Sequence, residues 1–301
     1  TCMEIGMYEK EVEDKEIREI AERILPDTSF GKIYRICEQY GEEEADCREY
    51  DVYKLVTPEG DRMLKKADKR EVSNYEKYLK QKDFCVPEFY GRWDDGADIW
   101  IMLESIEGND LRDMTDELAK AAAKSIVQIQ NAFWNHPDRE RFEVYLERIS
   151  RRLACIKDEP EIGEAYGLFF ERQKPCHRTL SNGDFLEFNV IDKNGQVFII
   201  DWGFGGIMPY SLDLARFIAH ATEDRATFPF YMNDEQKRLF LNTVYENLVE
   251  KLDYEQYLYD IKLAVLNEYV EFIEADEDDD RWYYNHAREL AREILAEKEG
   301  R

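Results

Sequence analysis

The sequence predicts an α+β protein with a small antiparallel sheet near its amino terminus and a mostly helical remainder. Short apolar segments separated by turns fill residues 31–106, whereas beyond Leu111 the apolar period changes from two residues to about 3.6. The 301 residues also suggest two compact parts, since a soft prior assigns about 150 residues to each domain. We therefore expect a helical extension at 1–30, a strand-rich lobe at 31–106 and a helical lobe at 107–301.

The elements of the first lobe follow from apolar runs and from the turns between them. Residues 8–24 are charged with spaced isoleucines, which predicts a helix that ends at Pro26. A loop is expected at 41–49 and a turn at 58–61. The remaining predictions are strands at 32–37, 50–56 and 62–65, and an amphipathic helix at 71–79.

Helix signals dominate the second lobe. Thr115 is a suitable cap, and the acids Asp116 and Glu117 suit the positive end of a helix. Asn233 and Gln236 fit a capping box before another apolar period. Further helices are predicted at about 138–157, 160–173, 254–275 and 280–297.

The most informative segment lies in the middle of the chain. Asp184 is followed five residues later by Asn189, and Asp201 ends a short apolar strand. Asn194-Gly195 predicts a tight hairpin turn between two short strands. The hairpin would bring Asn189 and Asp201 together at the open ends of its strands. Two oxygen ligands beside a carboxylate are what metal-assisted phosphoryl transfer needs.

The spacing Asp184-x-x-x-x-Asn189, with a later Ile-Asp-Trp around Asp201, resembles the catalytic segment of the aminoglycoside phosphotransferase and choline kinase-like family. This family shares the two-lobed protein-kinase fold. The resemblance implies that Asp184 is the catalytic base and that Asn189 and Asp201 hold Mg²⁺. The chain departs from the family at Asn182, where a loop-packing histidine is usual.

The first lobe carries further matches to the family, and residues 86–91 and 99–104 resemble its fourth and fifth strands. Lys65, after an apolar pair, resembles the lysine that contacts nucleotide phosphates, with Lys66 as the alternative. Strand alternation directs only one of the two towards the nucleotide. Glu71 resembles the helix glutamate that pairs with that lysine, and Glu76 is its alternative.

Two other segments of the first lobe bear on nucleotide binding. The backbone of Glu104 and Ile106 resembles the hinge that meets the adenine edge. The expected phosphate loop, 41–46, carries four acids, which would repel a triphosphate. This loop either faces solvent, weakens nucleotide binding or serves regulation.

Other family roles fall in the helical lobe. The resemblance implies that Asp213, near a helix start, braces the backbone of the catalytic loop. It places the acceptor pocket among the carboxyl-terminal helices, where Glu268 and Glu271 share a helix face. Carboxylates would hold ammonium groups, and the rings of Trp282 and Tyr283 would face cations. The alternative is a solvated acidic run between two helices.

Composition narrows the range of partners. The chain has 67 acidic and 41 basic residues and a formal charge of −26, which argues against nucleic acid as a partner and would steer cationic small molecules towards it. None of the six cysteines forms a C-x-x-C pair, so we expect reduced thiols in a cytoplasmic protein. No apolar run approaches the ~20 residues of a membrane span.

The sequence therefore predicts a phosphotransferase that uses ATP, with GTP as the alternative nucleotide, and Mg²⁺. The expected acceptor is a hydroxyl on a small cationic molecule, either aminoglycoside-like or an amino alcohol. A kinase-fold nucleotide-binding protein with weak or no catalysis is the second interpretation. A protein kinase is disfavoured, because no Ala-Pro-Glu activation segment follows Asp201.

Overall fold

The computed structural model describes residues 6–80, 83–221, 230–275 and 281–299. The chain divides into two compact units, one ending at Glu107 and the other beginning at Gly108. The first unit is built on an antiparallel sheet and the second is mostly helical. The described residues therefore have the predicted α+β architecture.

One sheet organises the first unit. Its elements are β1 (Gly6–Val12), α1 (Lys15–Ile24), β2 (Ile33–Gln39), β3 (Cys47–Leu55), β4 (Arg62–Ala67), α2 (Lys69–Asn74), a π-helical turn (Tyr75–Leu79), β5 (Phe89–Asp94) and β6 (Ile99–Glu104). The strands run antiparallel in the order β1-β2-β3-β4-β6-β5. Helix α1 buries Ile17, Ile20 and Ala21 in a core with apolar residues of the sheet, which include Leu55 and Leu64.

Strand β1 corrects the expectation of one helix over residues 8–24. Gly6–Val12 pairs with β2 at the edge of the sheet, and the helix begins only at Lys15. The strand is rich in charge, and Lys10 forms an ion pair with Glu49 at 2.8 Å. Charged side chains are common on edge strands, so β1 lacks the apolar alternation by which strands are identified.

The second unit combines seven helices with two strand pairs in its described residues. Its elements are α3 (Asp116–Ala132), α4 (Glu140–Ile156), α5 (Ile162–Gln173), β7 (Arg178–Ser181), β8 (Val190–Lys193), β9 (Gln196–Ile199), β10 (Gly206–Pro209), α6 (Ser211–Ala219), α7 (Asp234–Asn247), α8 (Tyr254–Phe272) and α9 (Trp282–Glu299). The predicted caps are present: Thr115 accepts from the N–H of Leu118, and Asn233 forms a capping box with Gln236. Residues 276–280 of the predicted acidic run lie outside the described residues.

The two strand pairs position the central motif. Strands β8 and β9 form the predicted hairpin, with Asn194 and Gly195 at φ +55° and +83°. Left-handed conformations at both turn residues suit a tight hairpin. Strand β7 pairs with β10, so that Ser181 lies opposite Gly206. The polar loop between β7 and β8 is thus anchored at both ends.

Helices α4, α5, α8 and α9 share a core of the second unit, which includes Phe142, Phe169 and Leu266. This packing fixes α4 and α8 as the walls of the site described below. The five cysteines within the described residues are free thiols. Across the same residues, no helix is both long and apolar enough to span a membrane.

Candidate active site

A buried carboxylate fixes the loop that carries Asp184. The N–H groups of Asn182 and Gly183 donate to Asp213 Oδ2 at 2.6 Å and Oδ1 at 3.0 Å. Gly183 has φ +82°, and a Cβ there would lie 2.4 Å from the carbonyl oxygen of Phe204, so the loop requires glycine at this position. The bracing contact that the family resemblance implied for Asp213 is therefore present.

The environment of Asp213 shifts its titration. Burial raises the pKa of Asp213 to about 6, although the two backbone N–H groups oppose the rise. The side chain lies on the first turn of α6 and is almost fully buried. A carboxylate that titrates in this range links the shape of the loop to pH.

Asn182 fills the position at which the family has a histidine. Its Oδ1 accepts from the N–H of Asp184 at 3.1 Å, and its Nδ2 donates to the carbonyls of Ile200 and Asp201 at 3.1 Å each. The side chain is fully buried. Because an amide carries both an acceptor and donors, Asn182 joins the Asp184 loop to the end of β9.

The hairpin brings the two predicted metal ligands to neighbouring backbone positions. The N–H of Ile200 donates to the carbonyl of Asn189 at 3.0 Å. The Nδ2 of Asn189 donates to both the carbonyl and Oδ2 of Asp184 at 2.8 Å, which leaves its Oδ1 as the oxygen suited to a cation. Asp201 has φ +59°, an uncommon backbone conformation for a residue with a Cβ.

These donors suit a cation that is completed by ligand oxygens. Within the described residues, no group of three histidine, cysteine or acidic side chains could hold a metal by itself. Mg²⁺ is typically held by one or two carboxylates together with water and substrate phosphates. Asp201 and the amide oxygen of Asn189 therefore fit Mg²⁺ better than a metal held only by protein side chains.

Arg216, which the sequence analysis did not single out, contacts Asp184 directly. Its Nε and Nη2 donate to Asp184 Oδ1 at 2.9 and 2.6 Å. Its Nη1 donates to Glu268 Oε2 at 2.8 Å. His220 Nε2 lies 2.9 Å from the same Glu268 oxygen, and His220 Nδ1 lies 2.9 Å from the hydroxyl of Tyr283. One buried polar network therefore connects Asp184 to α8 and α9.

Contacts within this network favour the ionised forms of Glu268 and Arg216. Burial alone would raise the pKa of Glu268, but Arg216 and His220 outweigh it and lower the pKa. Burial alone would lower the pKa of Arg216, but Glu268 and Asp184 outweigh it and raise the pKa. Helical spacing could have indicated this network, because residues 213, 216 and 220 share one face of α6 and its carboxyl end.

The residues expected to hold a cationic acceptor have partners within the protein or are buried. Glu268 is engaged by Arg216 and His220, and Glu271 lies 3.6 Å from Arg152. Trp282 and Tyr283 are both buried, so neither presents an open aromatic face. The sequence-based expectation considered only the acids of α8. In the structure, Arg152 of α4 and Arg216 of α6 lie beside these acids.

A cavity of about 340 Å³ lies beside Asp184 within the second unit. Its lining includes Asp184, Arg216, Glu268, Glu271, Phe204 and Met208. Helix α4 contributes Arg141, Tyr145 and Arg148. Basic, acidic and apolar groups therefore surround the Asp184 carboxylate, and the basic ones on α4 were not anticipated.

In the first unit, the two neighbouring lysines have different partners. Lys65 Nζ lies 2.8 Å from Oε1 of Glu71, which is buried. Lys66 Nζ instead contacts Asp51 and Asp98 on the exposed side. Strand alternation thus separates the two lysines, and Lys65 and Glu71 form the predicted pair.

The alternative glutamate and the predicted hinge have other contacts. Glu76 lies 3.3 Å from Arg92, away from the lysine pair. Glu104 is the last residue of β6, and its N–H donates to the carbonyl of Glu88 at 2.8 Å. Ile106 is half-buried and lies three residues before Asn109 in the sequence.

The acidic loop at 41–46 is closed on itself. The N–H of Tyr40 donates to the carbonyl of Asp46 at 2.9 Å, and the buried amide of Gln39 donates to the carbonyls of Gly41 and Glu43. The glutamates of the loop are exposed. Of the alternatives open for this loop, the contacts favour a compact turn whose acids face solvent.

Comparison with known proteins places this geometry in a family. Residues 48–237 match the model of a phosphotransferase enzyme family. A protein LicA homolog of Metamycoplasma hominis is 24% identical over 233 residues, which cover 73% of this chain and 84% of that protein.

Solved structures with kinase activities share the fold. A choline kinase from Cryptosporidium parvum has a TM-score of 0.56 and 14% identity, covering 94% of this chain and 96% of its own. An aminoglycoside phosphotransferase from Alicyclobacillus acidocaldarius has a TM-score of 0.56 and 10% identity, covering 82% of this chain and 89% of its own. At such low identities the likeness shows the protein-kinase-like fold. The family match, which spans more than half of the sequence, shows that this chain belongs to the phosphotransferase enzyme family.

Proposed function

We propose that the protein transfers the γ-phosphoryl group of ATP, with Mg²⁺, to a hydroxyl of a small molecule. The observation that carries this proposal is the Asp184 carboxylate, which is held by Asn189 and Arg216 at the wall of a 340 Å³ cavity. A cavity of this size suits a small molecule. GTP is the alternative nucleotide, because a hinge that binds the base through its backbone leaves little sign of the base in its side chains.

The contacts of Asp184 leave one direction for an acceptor hydroxyl. A carboxylate has about four lone-pair positions. Arg216 donates twice to Oδ1 and Asn189 donates once to Oδ2. The remaining position on Oδ2 would accept the proton of the hydroxyl as its oxygen bonds to phosphorus and the bond to the ADP oxygen breaks.

Other residues would neutralise and orient the phosphates. When bound, Mg²⁺ would offset the charge that develops on the transferring group. Asp201 and Asn189 Oδ1 would hold it, consistent with their place at the hairpin ends. Lys65, oriented by Glu71, would contact nucleotide phosphates. Because phosphoryl transfer needs little covalent work from the protein, positioning and charge would supply most of the rate.

The catalytic residues alone do not determine the charge of the acceptor. The amino-group acceptors expected from the sequence relied on Glu268 and Glu271, and both now have arginine partners. Aminoglycosides and amino alcohols therefore belong in a test beside neutral and anionic hydroxyl compounds.

The test is ADP release from Mg²⁺·ATP with a panel of hydroxyl compounds, with Asp184→Ala as the matched variant. We expect one class of acceptor to stimulate release, and Asp184→Ala to lower it about 10²–10⁴-fold while Mg²⁺·ATP still binds. Asp201→Ala should weaken metal-dependent nucleotide binding in calorimetry. Equal turnover in wild type and Asp184→Ala would sink the proposed mechanism.

A further inference from the structure

The acids around the cavity already have partners, which changes the charge that it offers to an acceptor. Asp184 and Glu268 contact Arg216, and Asp213 accepts two backbone N–H groups. Glu271 lies 3.6 Å from Arg152. The cavity is therefore less acidic than its lining residues suggest.

Helix α4 presents a basic stripe to the same cavity. Arg141, Tyr145 and Arg148 line it, and Arg152 continues the stripe one turn later. These positions are spaced by four, three and four residues, so they share one helix face. The guanidinium of Arg148 lies 5.8 Å from the ring of Tyr145 and is exposed. Its charge is thus available to a molecule in the cavity.

The backbone of β10 holds the base of Arg141. A Cβ at Gly206 would lie 2.6 Å from Cβ and 2.7 Å from Cγ of Arg141, and Gly206 has φ +155°. Only glycine therefore allows the aliphatic stem of Arg141 to lie on this strand. The close contact keeps the start of the stem beside the cavity, and the guanidinium extends from a fixed base.

The lining also has apolar members. Phe204, which is 54% exposed, lines the cavity together with Met208 and Leu212. A bound molecule would therefore meet the Asp184 carboxylate, apolar atoms and the guanidinium groups of α4. Guanidinium groups pair with carboxylates and phosphates through parallel hydrogen bonds.

We propose that Arg148 and Arg141 form an anion subsite, so that the acceptor carries a carboxylate or phosphate group in addition to the hydroxyl that is phosphorylated. This inference rests on the proposed function, because it names the substrate class of the same cavity. It replaces the cationic acceptor expected from the sequence by an anionic or zwitterionic one.

The first test uses pairs of compounds that differ in one anionic group. ADP release is compared for ethanolamine and L-serine, glycerol and glycerate, and glucose and glucose 6-phosphate. We expect the anionic member of at least one pair to give at least tenfold higher kcat/KM than its partner. The serine and glycerate arms report a carboxylate, and the glucose 6-phosphate arm reports a phosphate.

Matched variants assign the effect to α4. Arg148→Met should raise KM for the preferred anionic compound about tenfold, the size expected for one lost charged contact, with kcat nearly unchanged. Arg151→Met is the control, because Arg151 is on the same helix, its side chain is 81% exposed and it pairs with Glu147. It should leave KM unchanged.

Binding separates failure of the subsite from failure of the proposed function. Glycerate and inorganic phosphate are titrated into wild type, Arg148→Met and Arg151→Met by calorimetry. One outcome is that these compounds bind wild type and Arg151→Met but not Arg148→Met, and that no ADP is released. This outcome would support the subsite and refute phosphotransfer to these compounds. ADP release that favours neutral or cationic partners and is unchanged in Arg148→Met would overturn the subsite and leave the proposed function standing. The subsite would also be overturned if neither binding nor ADP release depended on Arg148.

Discussion

The loop that carries Asp184 and the cavity wall beside it are held by different kinds of contact. In the loop, Asp213 and Asn182 bond to backbone groups. In the wall, side chains pair with side chains, as Arg216 does with Glu268 across 52 residues of sequence. A contact to backbone needs one suitable side chain, whereas a side-chain pair needs two residues that only the fold brings together. The loop can therefore be identified from a short sequence motif, whereas the contacts of the wall cannot.

The largest effect should come from breaking the link between these regions. Arg216→Met removes both donors to Asp184 Oδ1 and leaves Glu268 buried without its guanidinium. We expect kcat to fall on the order of 10²-fold, since small misplacements of reacting groups have effects of this size. The free energy of unfolding should fall by about 3–5 kcal/mol, as when one partner of a buried pair is removed.

Arg216→Lys is the control, because it keeps the charge but lacks the planar fork. Urea unfolding should show it to be closer to wild type in stability than Arg216→Met, with kcat only partly recovered. A kcat for Arg216→Met within about twofold of wild type would mean that Arg216 does not position Asp184.

The next effect tests the loop itself. In Asp213→Asn, one amide nitrogen would face a backbone N–H that now donates to a carboxylate oxygen. One unsatisfied buried donor costs about 1–3 kcal/mol, so unfolding free energy should fall by that amount and kcat by about tenfold. A variant with wild-type stability and turnover would remove the bracing role.

The same residue predicts a pH dependence. Wild-type kcat should fall as pH drops below about 6, the raised pKa of Asp213, because protonation removes an acceptor from the loop. Asp213→Asn should lack that step. Stability has the opposite sign: the unfolded chain loses this proton first, so the contribution of Asp213 to stability falls as pH rises from its ordinary range to about 6. The measurements are kcat between about pH 5 and pH 8, and unfolding free energy between about pH 3.5 and pH 7, which covers both the ordinary pKa of a carboxyl and the raised one.

A matched pair of lysines gives the third test, in the first unit. Lys65→Met should raise KM for ATP about tenfold, because it removes one charged contact to phosphate. Lys66→Met should change it by less than about twofold, since its partners Asp51 and Asp98 are exposed. Equal changes in the two variants would contradict the assignment by strand alternation.

The smallest expected effect concerns the buried end of the network. Tyr283→Phe removes only the hydroxyl that lies 2.9 Å from His220. Unfolding free energy should fall by about 1 kcal/mol, the typical net value of one hydrogen bond, and KM for any acceptor should stay unchanged. A raised acceptor KM would instead return Tyr283 to the binding surface predicted from the sequence.

Local signals explain what the sequence could predict. The hairpin at Asn194-Gly195 depends on two adjacent residues, and the capping box at Asn233 depends on a spacing of three. The α+β order needed only the change of apolar period. Strand β1 escaped prediction because its stability comes from pairing with β2 and from ion pairs such as Lys10–Glu49, neither of which leaves an apolar pattern.

The residues of the site were likewise predictable only where a local motif or the family resemblance indicated them. Lys65 and Glu71 lie on adjoining elements. The contact of Asp213 with Asn182, 31 residues away in sequence, was expected only from the family resemblance. Glu268 was expected to face a ligand because its neighbours in sequence are acidic. In the fold its neighbours are Arg216 and His220, and neither contact is visible from the sequence around Glu268. The arginines of α4 were not predicted, because only the fold brings them to the cavity.

The backbone of Asp201 has a consequence for protein engineering. Its φ of +59° is one that glycine adopts without penalty, and relief of such strain is worth about 1 kcal/mol or more. A library selected only for resistance to heat should therefore enrich glycine at this position and discard the carboxylate. Thermal selection would then act against the metal-binding role proposed for Asp201, so this residue should be held constant in any stabilised variant.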